Sequence, residues 1–259
     1  STIKAAEAQI HYSVGKEVEV TITTEFKNAP RPEVGKLLPQ VKNIIAVSSG
    51  KGGVGKSTLC ILFANYLAAK GKDVCIIDTD LQKTILMQRR KDKLIYEGEE
   101  EPYNVQDFDV TDVETMQTLV DSASQVDGFV LFDSPGNISE DGLAPLFVGA
   151  DYIVCPYEYE DKALDSTGVF VQVLNVLREH NPQMTAQLFF VPNRIDPRIG
   201  TAEEQEMWRR TDEVFGNFGR VTPVVNSRAT LKRTNTFELL GTQRDAVKKA
   251  FDYMLRRMK

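Results

Sequence analysis

Read along its length, the chain alternates short apolar runs with longer stretches in which apolar residues recur every three or four positions. The apolar runs Asn43–Ser48, Asp73–Asp78, Gly128–Asp133, Tyr152–Pro156, Gln187–Pro192 and Val221–Val225 predict strands. The helical patterns are Lys56–Lys70, Asp112–Ser124, Asp161–Glu179, Ala202–Phe215 and Phe237–Met258. The runs are apolar without alternating, as strands buried on both faces are. The expectation is therefore an α/β fold, a mostly parallel β-sheet flanked by helices. Ahead of this region, residues 1–40 read as a separate segment: a helix near Ala5–Tyr12, an alternating strand Val18–Thr23, and a linker containing Pro30 and Pro32. The domain proper is expected over residues 41–259.

One loop carries most of the chemistry. Gly50-Lys51-Gly52-Gly53-Val54-Gly55-Lys56-Ser57-Thr58 lies between the first apolar run and the first helical pattern. It fits the phosphate-loop pattern G-x-x-x-x-G-K-[ST] in the strand–loop–helix setting that the motif needs. Glycines let the backbone wrap a polyphosphate, and successive N–H groups then point at its oxygens. The helix that follows turns its positive end toward the same anion. Lys56 adds a cation near the β- and γ-phosphates, and the Ser57 hydroxyl can hold Mg²⁺.

Composition narrows the setting. The 259 residues carry a net charge of −6, with 42% hydrophobic and 26% charged residues, which suits a soluble globular domain. No apolar run approaches the ~20 residues that span a bilayer, and the first residues lack a signal-peptide core, so a cytoplasmic protein is expected. The charge is uneven: residues 192–259 hold 14 Lys/Arg against 9 Asp/Glu, leaving 17 against 28 elsewhere. An acidic chain is no general polyanion binder, but its last quarter can present a basic patch. Cys60, Cys75 and Cys155 fall in helical or strand-like apolar contexts and read as core residues, not a disulfide framework. His11 and His180 have no neighbours at metal-ligand spacing and receive no role.

Three further segments end apolar strands with polar groups on the side of the sheet where the loop falls. Asp78-Thr79-Asp80 closes the second strand, and Asp133-Ser134-Pro135-Gly136 closes the third. A strand-terminal acid after the loop is the form of a Walker B element, reaching Mg²⁺ through water. Asp78 and Asp80 could instead cap the next helix. Pro192-Asn193-Arg194-Ile195-Asp196 follows the fifth strand.

As a block, Lys51-Gly52-Gly53-Val54-Gly55-Lys56-Ser57-Thr58 resembles the deviant Walker A ATPases, which include ParA, MinD, the nitrogenase iron protein and Mrp. The resemblance implies ATP and Mg²⁺ as ligands and a nucleotide-sandwich homodimer, in which Lys51 reaches the partner's phosphates. It implies that Gly50 to Thr58 bind nucleotide, with Lys51, Lys56 and Asp80 catalytic, Asp80 positioning the hydrolytic water. Ser57, Asp78 and Asp133 would serve the metal, and Asn193 would contact adenine. Leu81 replaces the proline usual in the D-x-D-P-Q switch.

Arg228, Lys232 and Arg233, in Asn226–Arg233, resemble the basic segment near the ParA DNA-binding surface. Non-specific DNA binding and a ParB-like stimulating partner follow from that likeness. The amphipathic segment Arg244–Lys259 suits a docked terminal helix better than the membrane anchor of MinD-like proteins. Residues 1–58 are similar to the Mrp iron–sulfur carrier branch and residues 59–259 to ParA, so 1–40 resembles a remnant of the small Mrp N-terminal domain. The chain lacks a C-x-x-C pair, so an iron–sulfur cluster is not expected. The expected function is a ParA-like ATPase switch acting in partitioning. A cluster carrier, a membrane-positioning ATPase and a binding module without hydrolysis remain as alternatives.

Overall fold

In the computed structural model, the residues described are 42–110, 112–136, 141–196 and 198–258. The expected segment 1–40 lies outside them. The strands are β1 Lys42–Val47, β2 Val74–Asp78, β3 Asn104–Asp107, β4 Gly128–Asp133, β5 Tyr152–Tyr157, β6 Gln187–Ile195, β7 Arg220–Val221 and β8 Val225–Asn226. The helices are α1 Lys56–Ala68, α2 Thr84–Ile95, α3 Val113–Ala123, α4 Ala144–Gly149, α5 Asp161–His180, α6 Ala202–Gly216 and α7 Gly241–Leu255. Seven strands lie in the order β3-β2-β4-β1-β5-β6-β7, with β8 pairing further along β6, and every pair is parallel.

Successive strand residues point to opposite faces, so each apolar run supplies two cores at once. Ile45, Val47, Ile76, Leu131, Val154, Phe189 and Val191 meet α1 and α7 on one face. Ile44, Ala46, Cys75, Ile77, Val130, Phe132, Ile153, Cys155 and Phe190 meet α3, α4 and α5 on the other. Helix α1 is apolar around most of its circumference because sheet and α7 enclose it. Phe63 and Tyr66 receive Phe251 of α7 at ring-centroid distances of 4.8 and 5.4 Å. The terminal helix is thus docked through Val247, Ala250, Phe251 and Met254. Among the described residues no helix is long and apolar enough to cross a membrane.

Two differences from the sequence expectations have physical causes. The expected strand Val221–Val225 is split into β7 and β8, because Pro223 between them has no N–H to give a ladder. The expected helix from Phe237 begins only at Gly241. The Asn235 side chain accepts from the Phe237 and Glu238 amides at 2.8 and 2.7 Å and forms a turn there instead. Helix α2, strand β3 and short α4 are additional. Glu101, just ahead of β3, pairs with Arg89 at 2.7 Å and also with Lys93.

Candidate nucleotide site

The parallel register sets the site. Val47 of β1 and Asp78 of β2 both stand opposite Asp133 of β4, so the phosphate loop and both acidic strand ends emerge at one level. In open α/β sheets this carboxyl end is where ligands bind.

Loop geometry follows from its glycines at specific points. Gly53 and Gly55 hold φ of 88° and 86°, a left-handed conformation that L side chains rarely adopt. A Cβ at Gly50 would lie 1.9 Å from the Ser166 carbonyl oxygen, so only glycine lets the loop pass α5. Gly55 is also the N-cap of α1, and no side chain caps that helix. Its first amides are therefore left for an anion.

Lys56 is buried, and its Nζ donates to Ser49 Oγ at 3.3 Å and the Lys51 carbonyl at 3.5 Å. Burial pulls its pKa below the usual lysine value, while Asp133, Asp80 and Cys155 oppose that shift. Lys51 sits at the rim, where Nζ meets Glu160 Oε2 at 3.4 Å. Gly136 lies three residues past β4, where a Cβ would come within 2.9 Å of Gly52 Cα and 3.3 Å of Lys56 Nζ.

The acids differ sharply in environment. Asp133 is fully buried, and neither carboxylate oxygen has a hydrogen-bond partner among the described residues. Burial pushes its pKa up to about 7; Asp78 and Asp80 add to the rise, while Ser57 and Lys56 oppose it. Ser57 acts from beside the carboxyl, without a hydrogen bond of ordinary geometry to it. A buried carboxylate left bare is costly unless something pairs with it. With the Ser57 hydroxyl adjacent, the two bare oxygens fit a hydrated divalent cation.

Asp78 is equally buried, but its oxygens are engaged. Oδ2 accepts from the Ile85 and Leu86 amides at 2.9 and 3.1 Å, and Oδ1 from the Asp80 amide at 3.3 Å. Burial raises its pKa against the pull of those amides and Lys83. The geometry thus gives Asp78 the helix-capping work weighed in the sequence, at the start of α2. Asp80 is half-buried and accepts from the Gln82 amide at 2.9 Å. Lys83 was not singled out by sequence; it fixes this turn by donating to the Phe108 carbonyl at 2.7 Å and pairing with Asp109 at 2.8 Å.

Asn193 and Arg194 at the end of β6 also reach the loop. Asn193 Nδ2 donates to the Val54 carbonyl at 2.9 Å, and Arg194 Nη1 donates to the Gly53 carbonyl. Arg228, Lys232 and Arg233 are exposed around a 3-10 turn, Ala229–Lys232, that follows β8. They stand apart from the loop in sequence. The three cysteines are buried and free, and His180 bonds to the Val176 carbonyl at 2.8 Å.

Comparison with known proteins agrees with this geometry. Residues 45–233 match the CobQ/CobB/MinD/ParA nucleotide binding domain model. A plasmid partition protein from Borrelia burgdorferi superposes with a TM-score of 0.60 at 16% identity, over 83% of this chain and 99% of that one. An ATP complex of a McdA variant from Cyanothece gives 0.63 at 16%, over 84% and 96%. At such identities the likeness is one of fold. An iron–sulfur cluster carrier protein of Synechocystis is 50% identical over 70 residues, which are 26% of this chain and only 19% of that protein. The chain carries the ParA/MinD phosphate-loop fold and belongs to the CobQ/CobB/MinD/ParA family of nucleotide-binding domains.

Proposed function

We propose that the chain is an ATP-hydrolysing, dimerising switch of the ParA type that binds DNA without sequence preference. The observation that carries the reading is Asp133: a buried carboxylate with two bare oxygens, facing a lysine and a serine at the mouth of a phosphate loop. Mg²⁺ would be held through Ser57 and, by way of water, Asp133, and would supply neutralising charge at the β- and γ-phosphoryl oxygens. Backbone amides from Gly52 to Ser57 cradle the phosphates, and Lys56 places its charge beside the transferring group. Asp80 orients the attacking water, while Asp78 holds the 78–86 turn that carries Asp80. Asn193 would contact adenine. Lys51, held among the described residues by a partly exposed pair with Glu160, is free to exchange that partner for the phosphates of a second copy.

Arg228, Lys232 and Arg233 would meet DNA phosphates, and a ParB-like partner would stimulate hydrolysis and release. The plasmid partition protein among the structural neighbours supports this arm of the reading. DNA binding tested with ATP, with ADP and without nucleotide should appear only with ATP. It should weaken with salt at a slope near −3 per protomer if the three basic residues each meet a phosphate, by about −0.9 per contact. Equal binding in all three states would remove DNA from the account.

The partial identity to an iron–sulfur cluster carrier favours a second reading, cluster transfer driven by the same ATPase. We rank it lower because all three cysteines are buried and their thiols are raised above the ordinary pKa by that burial, away from the thiolate a cluster needs. Iron retained by anaerobically purified protein would reverse the ranking.

A further inference from the structure

The end of β6 grips the phosphate loop at two successive carbonyls. Asn193, which is buried, donates to the Val54 carbonyl, and the Arg194 guanidinium donates to the Gly53 carbonyl. Both carbonyls thereby point at β6, and in a trans peptide the N–H points the opposite way. Along a loop whose Gly53 and Gly55 lie in the left-handed region, this leaves the intervening amides to face the opposite, phosphate-binding side. The grip is tight: a Cβ at Gly55 would come within 2.9 Å of both Arg194 Nε and Asn193 Nδ2. Arg194 itself holds φ of 59°, unusual for any residue other than glycine, asparagine or aspartate. Its guanidinium is also 3.7 Å from Glu158 Oε1 at the end of β5. An ordinary surface arginine would need neither the backbone conformation nor these partners.

We propose that Arg194, with Asn193, is a positioning residue that locks the phosphate loop in its anion-binding form before nucleotide arrives. Charge-assisted donation makes the arginine the stronger member of the pair. The consequence is preorganisation: the loop's amides are aimed in advance, so less ordering is left for binding to offset. This rests on the reading of the loop as a nucleotide cradle, and it concerns how that cradle is held, not what it binds.

The test uses the full chain as wild type, Arg194→Ala, Arg194→Lys and Arg194→Gly. Hydrogen exchange in the nucleotide-free protein, followed on peptides covering residues 50–58, should be at least fivefold faster for Arg194→Ala. It should be partly restored in Arg194→Lys, whose ammonium can donate one bond to the same carbonyl. ADP affinity should fall about tenfold in Arg194→Ala, the expected loss for one charge-assisted bond. The KM for ATP should rise by a similar factor with kcat within about twofold, as for a group that acts on binding. Arg194→Gly removes the guanidinium but suits the backbone angle, so it should bind ADP as weakly while melting no lower than wild type. Unchanged exchange over 50–58 in Arg194→Ala, with tight nucleotide binding, overturns the clamp alone. Faster exchange in a protein whose wild type binds no nucleotide upholds the clamp and overturns the ATPase reading instead.

Discussion

Asp80→Ala is expected to keep ATP affinity within about threefold of wild type while turnover falls by at least ~100-fold, the usual contribution of a group that positions or deprotonates a nucleophile. The physical basis is a division of labour between two nearby acids. Asp78 spends its oxygens on the Asp80, Ile85 and Leu86 amides, so it shapes the turn. Asp80 is half-buried and uses one oxygen on the Gln82 amide. It is also close enough for Lys56 and Asp133 to feel its charge. Removing Asp80 leaves the loop and the metal-facing carboxylate intact, so binding should survive. Removing Asp78 should unravel the turn and lower both stability and turnover. Phosphate release and equilibrium nucleotide binding measured on the same Asp80→Ala sample decide the matter. Full hydrolysis there would take Asp80 out of the mechanism.

The second large effect concerns Asp133 and pH. Its folded-state pKa of about 7 lies above the ordinary carboxyl value. The nucleotide-free protein therefore carries a stability penalty that is absent at about pH 4, grows as pH rises, and is complete above about pH 7. By linkage the penalty is on the order of 2–4 kcal/mol at pH 8. Asp133→Asn should remove most of it, with some offset because Lys56 loses a compensating charge. The variant should thus melt several degrees above wild type at pH 8, and the gap should close toward pH 5. With Mg²⁺ and ADP the order should invert, because the wild-type carboxylate then has a partner and the amide does not attract one. Thermal melts from pH 5 to 8, with and without those ligands, test both halves. Parallel curves for the two proteins would show that Asp133 does not bear a buried charge.

Much of the site was legible because its chemistry is local in sequence. The phosphate loop, the strand-terminal acids and the Asn193 segment each follow an apolar run, and parallel register then brings them to one level without long-range information. What was not legible depends on partners distant in the chain. Helix α2 buries Arg89 and Asp92 while exposing Leu94 and Ile95, so its apolar period is inverted. Apart from a local bond from Gln88 to Asp92, those buried polar groups are satisfied by Thr236, Glu101 and the Tyr103 carbonyl. Strand β3, Asn-Val-Gln-Asp, is a polar edge strand with little β signal. The grip of Arg194 on Gly53 joins residues 141 apart and has no sequence signature. The Asp78 cap was weighed from sequence beside metal service, and the three amides that donate to it appear only in the structure.

Dimer closure on ATP is the claim on which the switch depends. Sedimentation of the wild-type chain saturated with a non-hydrolysable ATP analogue and Mg²⁺ tests it most directly, with Lys51→Ala alongside. Wild type is expected at twice the 29.0 kDa of one copy, and Lys51→Ala as a single copy. A wild-type chain that remains at 29.0 kDa with nucleotide bound would contradict dimer closure.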